Sequence, residues 1–563
     1  MNPCSGGSAG SESGSIAGRG GRSRSRSLAR GAGLGSVAAV LLVAGCSGKG
    51  AGGGAPSSAT ASGFAAVADG SLTSKGSLTV QLDYDSVETD GLDPQNAATA
   101  RTWAIESLVY EPLVTVGPQF QIEPDLAASW KQPDATTYVF TLRPGVKFSN
   151  GRLMTTADVV GSIKRLLATK SAYSAQLGPV KSVAATGPEQ VTVTLAAPYT
   201  PFLSAMANTP AAILPMKEVD DHSLNLKTTL LGTGPYVVSQ HVQDQYWTFA
   251  PNPYYRDAAK LSVTNLKLQI VPQDATRLAA IRSGSAGMAF FGNVDATRLL
   301  AGSGKVATVA QRNSDFYYLI LNSLKKGSPL LNQKIRFAIN SAIDRTQIAS
   351  TVFAGDVQPT GVTPSVLPGA CNPAQLPSAQ AGTANAATAL AAAGGKGITL
   401  HLATYTSEPA IGQIAQVIQQ QLAKIGVTVV IDQFDDATYT SKVFGAKPDF
   451  DMALGWYAGY GDPTMVSRWW NPVVAGFSAT FLTNDQALDN IITQASQQAA
   501  GAARDATMTK LCDQVDTDAE MLPLVTRPTV LAYRTDQVSP TLFSNEGYGN
   551  ILRSIVDFKS VAK

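Results

Sequence analysis

Alternation of apolar and polar positions marks a series of short strands along this chain. Leu78, Val80 and Leu82 alternate with Thr79, Gln81 and Asp83, and the two-residue period recurs at Tyr138, Phe140 and Leu142, at Val191, Val193 and Leu195, and at Leu266, Leu268 and Ile270. Tyr318 to Leu321, Ile398 with Leu400 and Leu402, Val427 with Val429 and Ile431, Met521 to Val525 and Val530 to Tyr533 supply further strands. Between them the spacing becomes helical: Val159, Ile163, Leu166 and Leu167 share one face, Ile335, Ala338, Ile339, Ala342 and Ile343 another, and Ile411, Ile414, Ile418, Leu422 and Ile425 a third. Thr155 with Asp158, Asn332 and Ser407 stand where helix caps belong, and Lys424 and Gly426 suit the end of the third helix. Pro144-Gly145 predicts a turn from which Val146 to Phe148 return. The strand-helix-strand run from Ile398 to Ile431 predicts a right-handed parallel unit. The pattern as a whole is α/β.

The stretch from Phe450 to Pro463 stands apart. Phe450, Met452 and Leu454 alternate as in a strand packed on one face, and the period then breaks at Gly455. Gly455, Gly459 and Gly461 permit backbone angles closed to other residues, while Trp456, Tyr457 and Tyr460 are large flat side chains with polar edges. A strand running into such a loop suits a ligand wall, because open α/β sheets bind ligands beyond the carboxyl ends of their strands; filling a core under a loop is the other use of these rings.

The amino-terminal segment has a different character. Arg19, Arg22, Arg24, Arg26 and Arg30 precede an apolar run from Leu34 to Ala44, the layout of a secretory leader and too short for a spanning helix. Leu42-Val43-Ala44-Gly45-Cys46 resembles a bacterial lipobox, which implies cleavage before Cys46 and acylation of its thiol. Residues 48–76 hold almost no large apolar side chain and predict a flexible tether, with folded sequence beginning after it.

Composition excludes several roles. The net charge is only +2, from 43 basic and 41 acidic residues, so no broad field draws in a nucleic acid. The cysteines Cys4, Cys46, Cys371 and Cys512 and the histidines His222, His241 and His401 lack metal-ligand spacing, and no cofactor is implied. Gly6-Gly7-Ser8-Ala9-Gly10 copies a nucleophile motif inside the leader, and Gly302-Ser303-Gly304-Lys305-Val306 lacks the hydroxyl of a phosphate loop. No nucleophile is paired with a base, so catalysis is not expected.

Several stretches carry a family resemblance. Gly76 to Leu82 through Gly91-Leu92-Asp93-Pro94, Leu108 to Val114, Pro124 to Trp130, Thr137 to Gly151, Gly232-Thr233-Gly234-Pro235-Tyr236, Lys334 to Arg345 and Asp449 to Pro463 together resemble the family 5 extracytoplasmic solute-binding proteins, the peptide and nickel receptors of ABC importers. The resemblance runs from Ser77 to Phe558. It implies a two-lobed periplasmic-binding-protein-like fold with mixed sheets and a small domain inserted in the first lobe. The expected division is a signal peptide 1–45, a lipidated tether 46–76, first-lobe segments 77–111, 233–325 and 525–563, an inserted domain 112–232 and a second lobe 326–524.

What the resemblance implies functionally is a monomeric lipoprotein, moored on the outer face of the cell membrane through Cys46, that hands a peptide or similar solute to ABC permease subunits. Trp456, Tyr457 and Tyr460 would stack on the solute, Gly455 and Ala458 would offer backbone hydrogen bonds, and Asp462 or Glu111 would meet a cation, with Tyr110 and Asn322 as further contacts. For Tyr110 and Glu111 the plainer reading is a core tyrosine beside a surface carboxylate. Peptide receptors of the family hold the ligand's amino terminus with an aspartate at the position filled here by Gly459, which leaves that role to Asp462, Glu88, Asp90 or Glu111, or to a ligand without a free amine. The same departure keeps open an envelope scaffold or regulator that transports nothing.

Overall fold

In the computed structural model, which describes residues 63–71, 74–86, 91–97, 99–169, 171, 173–457, 459–475, 477–546 and 551–560, the strands assemble into two large mixed sheets and a smaller antiparallel one. The leader, Cys46, Glu88, Asp90 and Ala458 lie outside these residues. The first sheet has eight strands in the order Asn545–Glu546, Val306–Asn313, Thr529–Arg534, Met288–Phe291, Gly76–Leu82, Val263–Ile270, Tyr246–Pro251 and Tyr236–Val242. Gly76–Leu82 runs parallel to both of its neighbours, and its Leu78, Val80 and Leu82 are buried as the alternation requires.

The second sheet orders Thr428–Phe434, Thr399–Tyr405, Met452–Tyr457, Phe316–Leu321 and Met521–Thr526. Its first three strands are parallel, as the strand-helix-strand pattern predicts, and the last two are antiparallel to their neighbours. Met452–Tyr457 differs from expectation in two respects. It continues through Gly455 and Trp456 to Tyr457, and it is covered on both faces: Met452 and Leu454 enter one core and Ala453 another. Phe316–Leu321 divides in the same way, with Tyr317, Leu319 and Leu321 on one side and Phe316, Tyr318 and Ile320 on the other. A central strand covered by elements on both faces has no solvent side, so alternation no longer separates inside from outside.

The third sheet, Ala127–Asp134, Thr137–Leu142, Gln190–Leu195 and Val180–Gly187, is wholly antiparallel. Both edges of Thr137–Leu142 are taken by the strands Ala127–Asp134 and Gln190–Leu195, so Val146 to Phe148 do not return along it; Lys147 makes one isolated bridge to Leu153 instead. The helix Thr156–Thr169 is capped in the reverse sense to expectation: the Thr155 amide and hydroxyl both donate to the Asp158 carboxylate at 2.9 Å. Ser407 does not cap the helix Pro409–Ala423 but donates to Asp436 at 2.6 Å, and Pro409 opens the helix where no amide is needed. Gly232 lies against the turn after the first helix, where a side chain's first carbon would fall 2.1 Å from the Val109 carbonyl oxygen.

Two further boundaries move. Phe64–Ala66 pairs with Leu542–Phe543, and Ser544 donates its amide to the Gly63 carbonyl, so ordered chain begins inside the segment expected to be tether. Phe316–Leu321, expected in the first lobe, belongs to the second sheet, as does Met521–Thr526 to its end. The chain therefore crosses between the large sheets at Ser314-Asp315 and again at Arg527-Pro528, and the Arg527 amide donates to the Asp315 carbonyl at 2.8 Å to tie the crossings together.

The Ala-rich tract before Gly397 forms the helices Pro377–Ala381 and Thr383–Ala392, the second burying Ala386 and Leu390. Cys371 at its start is joined to Cys512 on the helix Ala502–Asp518 by a buried disulfide with a sequence separation of 141 residues. Closing so long a loop restricts the unfolded chain, so Cys371→Ser with Cys512→Ser is expected to lower stability to urea by roughly 2–4 kcal/mol. An unchanged urea midpoint would show that the bridge does not hold this lobe.

Candidate functional site

The carboxyl ends of the parallel strands in both large sheets converge on one place, where such sheets leave their strand ends open. From the first sheet come Asp83 and Tyr84, after Gly76–Leu82, and Gly292, after Met288–Phe291. From the second come Tyr405 to Glu408, at and beyond the end of Thr399–Tyr405, and Trp456 near the end of Met452–Tyr457. The approach is close: a side-chain carbon built on Gly292 would lie 3.6 Å from Arg527 Nη2 and 3.8 Å from Glu408 Oε1. Arg101, on the helix Ala100–Glu106, places its guanidinium 5.1 Å from the centre of the Tyr84 ring.

A linked polar unit lies here. Tyr317 donates its hydroxyl to Glu408 Oε1 at 2.8 Å, Arg527 Nη2 donates to Glu408 Oε2 at 3.1 Å, and the Arg527 guanidinium covers the Trp456 ring at 4.2 Å. Glu408 is the N-cap residue of Pro409–Ala423, where the free amides of a helix favour a negative charge. Burial works against the charge on Arg527, but the Glu408 and Asp315 carboxylates outweigh it and hold its pKa above the usual value. Burial, assisted by neighbouring carboxylates, raises the pKa of Tyr317, Tyr405 and Tyr84, so these phenols stay protonated and serve as donors.

The sequence-predicted residues divide among several places. Trp456 joins this unit, with one ring face taken by Arg527. Tyr457 projects to the opposite face of the sheet, stacked on Tyr318 at 4.4 Å and on Trp469 at 5.8 Å. Gly455 lies under Tyr318, whose hydroxyl oxygen is 2.4 Å from where a side chain would begin. Tyr460 is buried 6.4 Å from Tyr173, on the segment leading from the helix Thr156–Thr169 towards the small sheet, where Thr200 also donates its amide and hydroxyl to the Ser496 carbonyl.

The remaining candidates are engaged elsewhere. Asp462 caps the helix Pro463–Ser467 through the Thr464 amide and pairs with Arg504 at 2.8 and 2.9 Å. Tyr110 is a core residue whose hydroxyl accepts from the Leu231 amide. Glu111, read as a surface carboxylate, is instead buried in a pair with Arg256 at 2.6 Å, and Arg256 also holds Asp125. Asn322 sits at the opposite end of the sheet from Trp456, since Leu321 pairs with Met452 while Tyr317 pairs with Trp456; its amide group is spent on the Phe450 carbonyl and on the Leu324 and Lys325 amides.

Tyr84, Arg101, Asp315, Tyr405, Glu408 and Arg527 are the residues that sequence reasoning missed. Tyr84 and Tyr405 stand directly at the ends of strands legible from alternation, which was a usable signal. Asp315 and Arg527 mark the crossings, which the pattern places only coarsely. Gly459 sits against the first crossing: its amide donates to Asp315 Oδ1 at 2.7 Å, and a side-chain carbon there would overlap the Ser314 carbonyl oxygen at 2.0 Å. Among the described residues no group of three or more His, Cys, Asp and Glu could hold a metal ion, and no helix is long and apolar enough to cross a membrane.

Residues 121–475 match the family model described as bacterial extracellular solute-binding proteins, family 5 middle. The glutathione-binding protein GsiB of Escherichia coli K12 is 24% identical over 473 residues, covering 81% of this chain and 91% of that protein. Among solved structures, the fold is similar to the PBP AgaA from A. tumefaciens R10 in complex with agropinic acid, with a TM-score of 0.75, 21% identity and coverage of 87% and 99% of the two chains. It is equally similar to the periplasmic binding protein DppA from Helicobacter pylori in complex with the peptide STSA, with a TM-score of 0.75, 22% identity and coverage of 87% and 98%.

Two outcomes follow from this geometry. Gly459→Ala must displace either the loop or the Ser314 backbone, and is expected to cost about 1–3 kcal/mol in a denaturant melt; a neutral effect would mean that the loop is not docked on the crossing. Burial and the Asp125 carboxylate push Glu111 from an ordinary 4.5 up to about 8 despite Arg256. Between those values the folded chain keeps a proton that the unfolded chain has released, so stability falls as pH rises. Glu111→Gln is expected to flatten that decline, and melts that fall with pH as steeply as the parent's would contradict it.

Proposed function

The chain belongs to family 5 of the bacterial extracellular solute-binding proteins, and on that footing we propose that it is the receptor of an ABC importer, clasping a peptide or peptide-like solute between its two large lobes and delivering it to membrane permease subunits. The observation that carries this reading is the meeting of Gly292 with the Glu408–Arg527 pair where the carboxyl ends of both sheets face each other. Aromatic rings and fixed charges gathered where the strand ends of two sheets meet have the composition of a ligand site. The relatives support the solute class: one is named for glutathione, and one neighbour was solved with a tetrapeptide.

In this reading residues 1–45 are the leader, Cys46 carries the lipid on the outer face of the cell membrane, and two acyl chains give stable mooring. The first lobe comprises 63–111, 233–313 and 529–560, the small sheet lies in an inserted domain 112–232, and the second lobe spans 316–526. The buried Cys371–Cys512 bridge suits an oxidising compartment outside the cytoplasm. The Trp456 ring stacks on the solute, the backbone at Gly455 and Ala458 offers hydrogen bonds to an extended chain, and the receptor acts as a monomer. No step of chemistry is assigned to it.

A second reading, an envelope scaffold or regulator that keeps the fold without a transported solute, is favoured by Gly459, where the packing against Ser314 leaves no room for a side chain. Thermal melting with an enzymatic digest of casein separates the two. A receptor gains about 2.7 kcal/mol when a free solute reaches a hundred times its dissociation constant, which raises the midpoint with dose. A midpoint indifferent to the digest would remove the peptide reading and leave the scaffold.

A further inference from the structure

A second cleft lies apart from the interlobe unit, where the first and last described segments of the chain meet. It holds about 540 Å³ between the paired strands Phe64–Ala66 and Leu542–Phe543, the hairpin of Val114–Val116 and Ile122–Pro124, Lys260, and residues 556–559. That volume suits a small molecule. Tyr84, Glu408, Trp456 and Arg527 take no part in its walls.

Its walls are of two kinds. Phe64, Phe543, Pro118 and Val556 form an apolar side, on which the two phenyl rings meet edge to face with centres 5.5 Å apart. Glu123, Asp557 and Lys559 supply charge. Lys260 also lines the cleft but is held by Asp257 at 2.7 Å, whereas among the described residues no ion pair engages Glu123, Asp557 or Lys559. Desolvation raises the pKa of Asp557 while Lys559 and Lys260 lower it, so these charges feel one another without closing on one another. Glu123 is held in place by the Gln121 amide, which donates to its Oε1 at 2.9 Å. Water ordinarily satisfies charges at a surface; set around an apolar cleft of this size, they are instead the few placed polar groups of a small-molecule site.

We propose that this cleft is an accessory site for a free α-amino acid with an apolar side chain, its carboxylate meeting Lys559, its ammonium meeting Glu123 and Asp557, and its side chain lying against Phe64 and Phe543. A zwitterion answers both signs at once, since a simple anion would face two carboxylates and a simple cation would face Lys559. The apolar side chain uses the phenyl wall, which a bare headgroup such as phosphoethanolamine would leave uncovered. The guest ties the first and last described segments to the hairpin between them. This site is separate from the interlobe unit and does not rest on the reading of that unit as a solute receptor.

The test is calorimetric titration of the full chain with L-phenylalanine, with phenethylamine, which lacks the carboxylate, and with 3-phenylpropanoate, which lacks the ammonium. The wild type is expected to bind phenylalanine about tenfold or more tighter than either analogue. Lys559→Met is expected to bring phenylalanine level with phenethylamine, and Glu123→Gln combined with Asp557→Asn to bring it level with 3-phenylpropanoate. Hydrogen–deuterium exchange on the wild type, which needs no variant, is expected to show phenylalanine protecting residues 63–68, 117–124 and 541–546 and not the segment holding Trp456. Absence of phenylalanine binding, equal binding of the three compounds, a preference unchanged in folded K559M, or protection only at Trp456 overturns the proposal and leaves the receptor reading untouched. O-phosphoethanolamine binding as tightly as phenylalanine assigns the cleft to a headgroup and overturns it as well.

Discussion

The structure depends on a topological constraint: two extended segments, at Ser314-Asp315 and Arg527-Pro528, carry the chain between the two large sheets. They are bound to each other by the Arg527 amide on the Asp315 carbonyl and by Asn313 on Thr529. The two sheets are also packed together, since Ala289, Phe291 and Val530 of the first share one hydrophobic cluster with Tyr317, Leu319 and Met452 of the second. Side chains from the crossings reach the place where the strand ends meet. Arg527 reaches Glu408 and Trp456, and Asp315 reaches the loop at Gly459. The crossings and the polar unit proposed as the site thus share residues.

The electrostatics follow from that placement. A guanidinium beside the Glu408 and Asp315 carboxylates stays charged although buried, and the phenols around it stay neutral. The pair between Arg527 and Glu408 is a poor source of net stability, because removing both charges from water offsets most of their attraction. Its use is geometric: it fixes the Arg527 plane over the Trp456 ring.

Much of the fold was legible because strands with one covered face, such as Leu78, Val80 and Leu82, write their orientation into the sequence. Legibility failed where that contrast vanishes. Phe316–Leu321 is buried on both faces, so nothing in its composition says which sheet it joins, and the expected boundary fell too late in the chain. The aromatic loop illustrates the same limit at the site. Trp456 and Tyr457 are adjacent and alike in character, yet strand geometry sends them to opposite faces, and only Trp456 reaches the charged unit. Asp462 and Glu111 looked available as acids because their partners Arg504 and Arg256 are far away in sequence. Asp315 drew no notice, since a single aspartate between two strands reads as a turn until the second crossing is placed beside it.

Hydrogen–deuterium exchange on the full chain, with and without a saturating casein digest, tests most directly whether one solute is clasped by both lobes. The account expects added protection to arise together in the segment holding Tyr84 and Gly292 of the first lobe and in that holding Tyr405 to Glu408 and Trp456 of the second. Protection confined to one of these segments, at a concentration of digest that raises the melting midpoint, would place the solute elsewhere and contradict it.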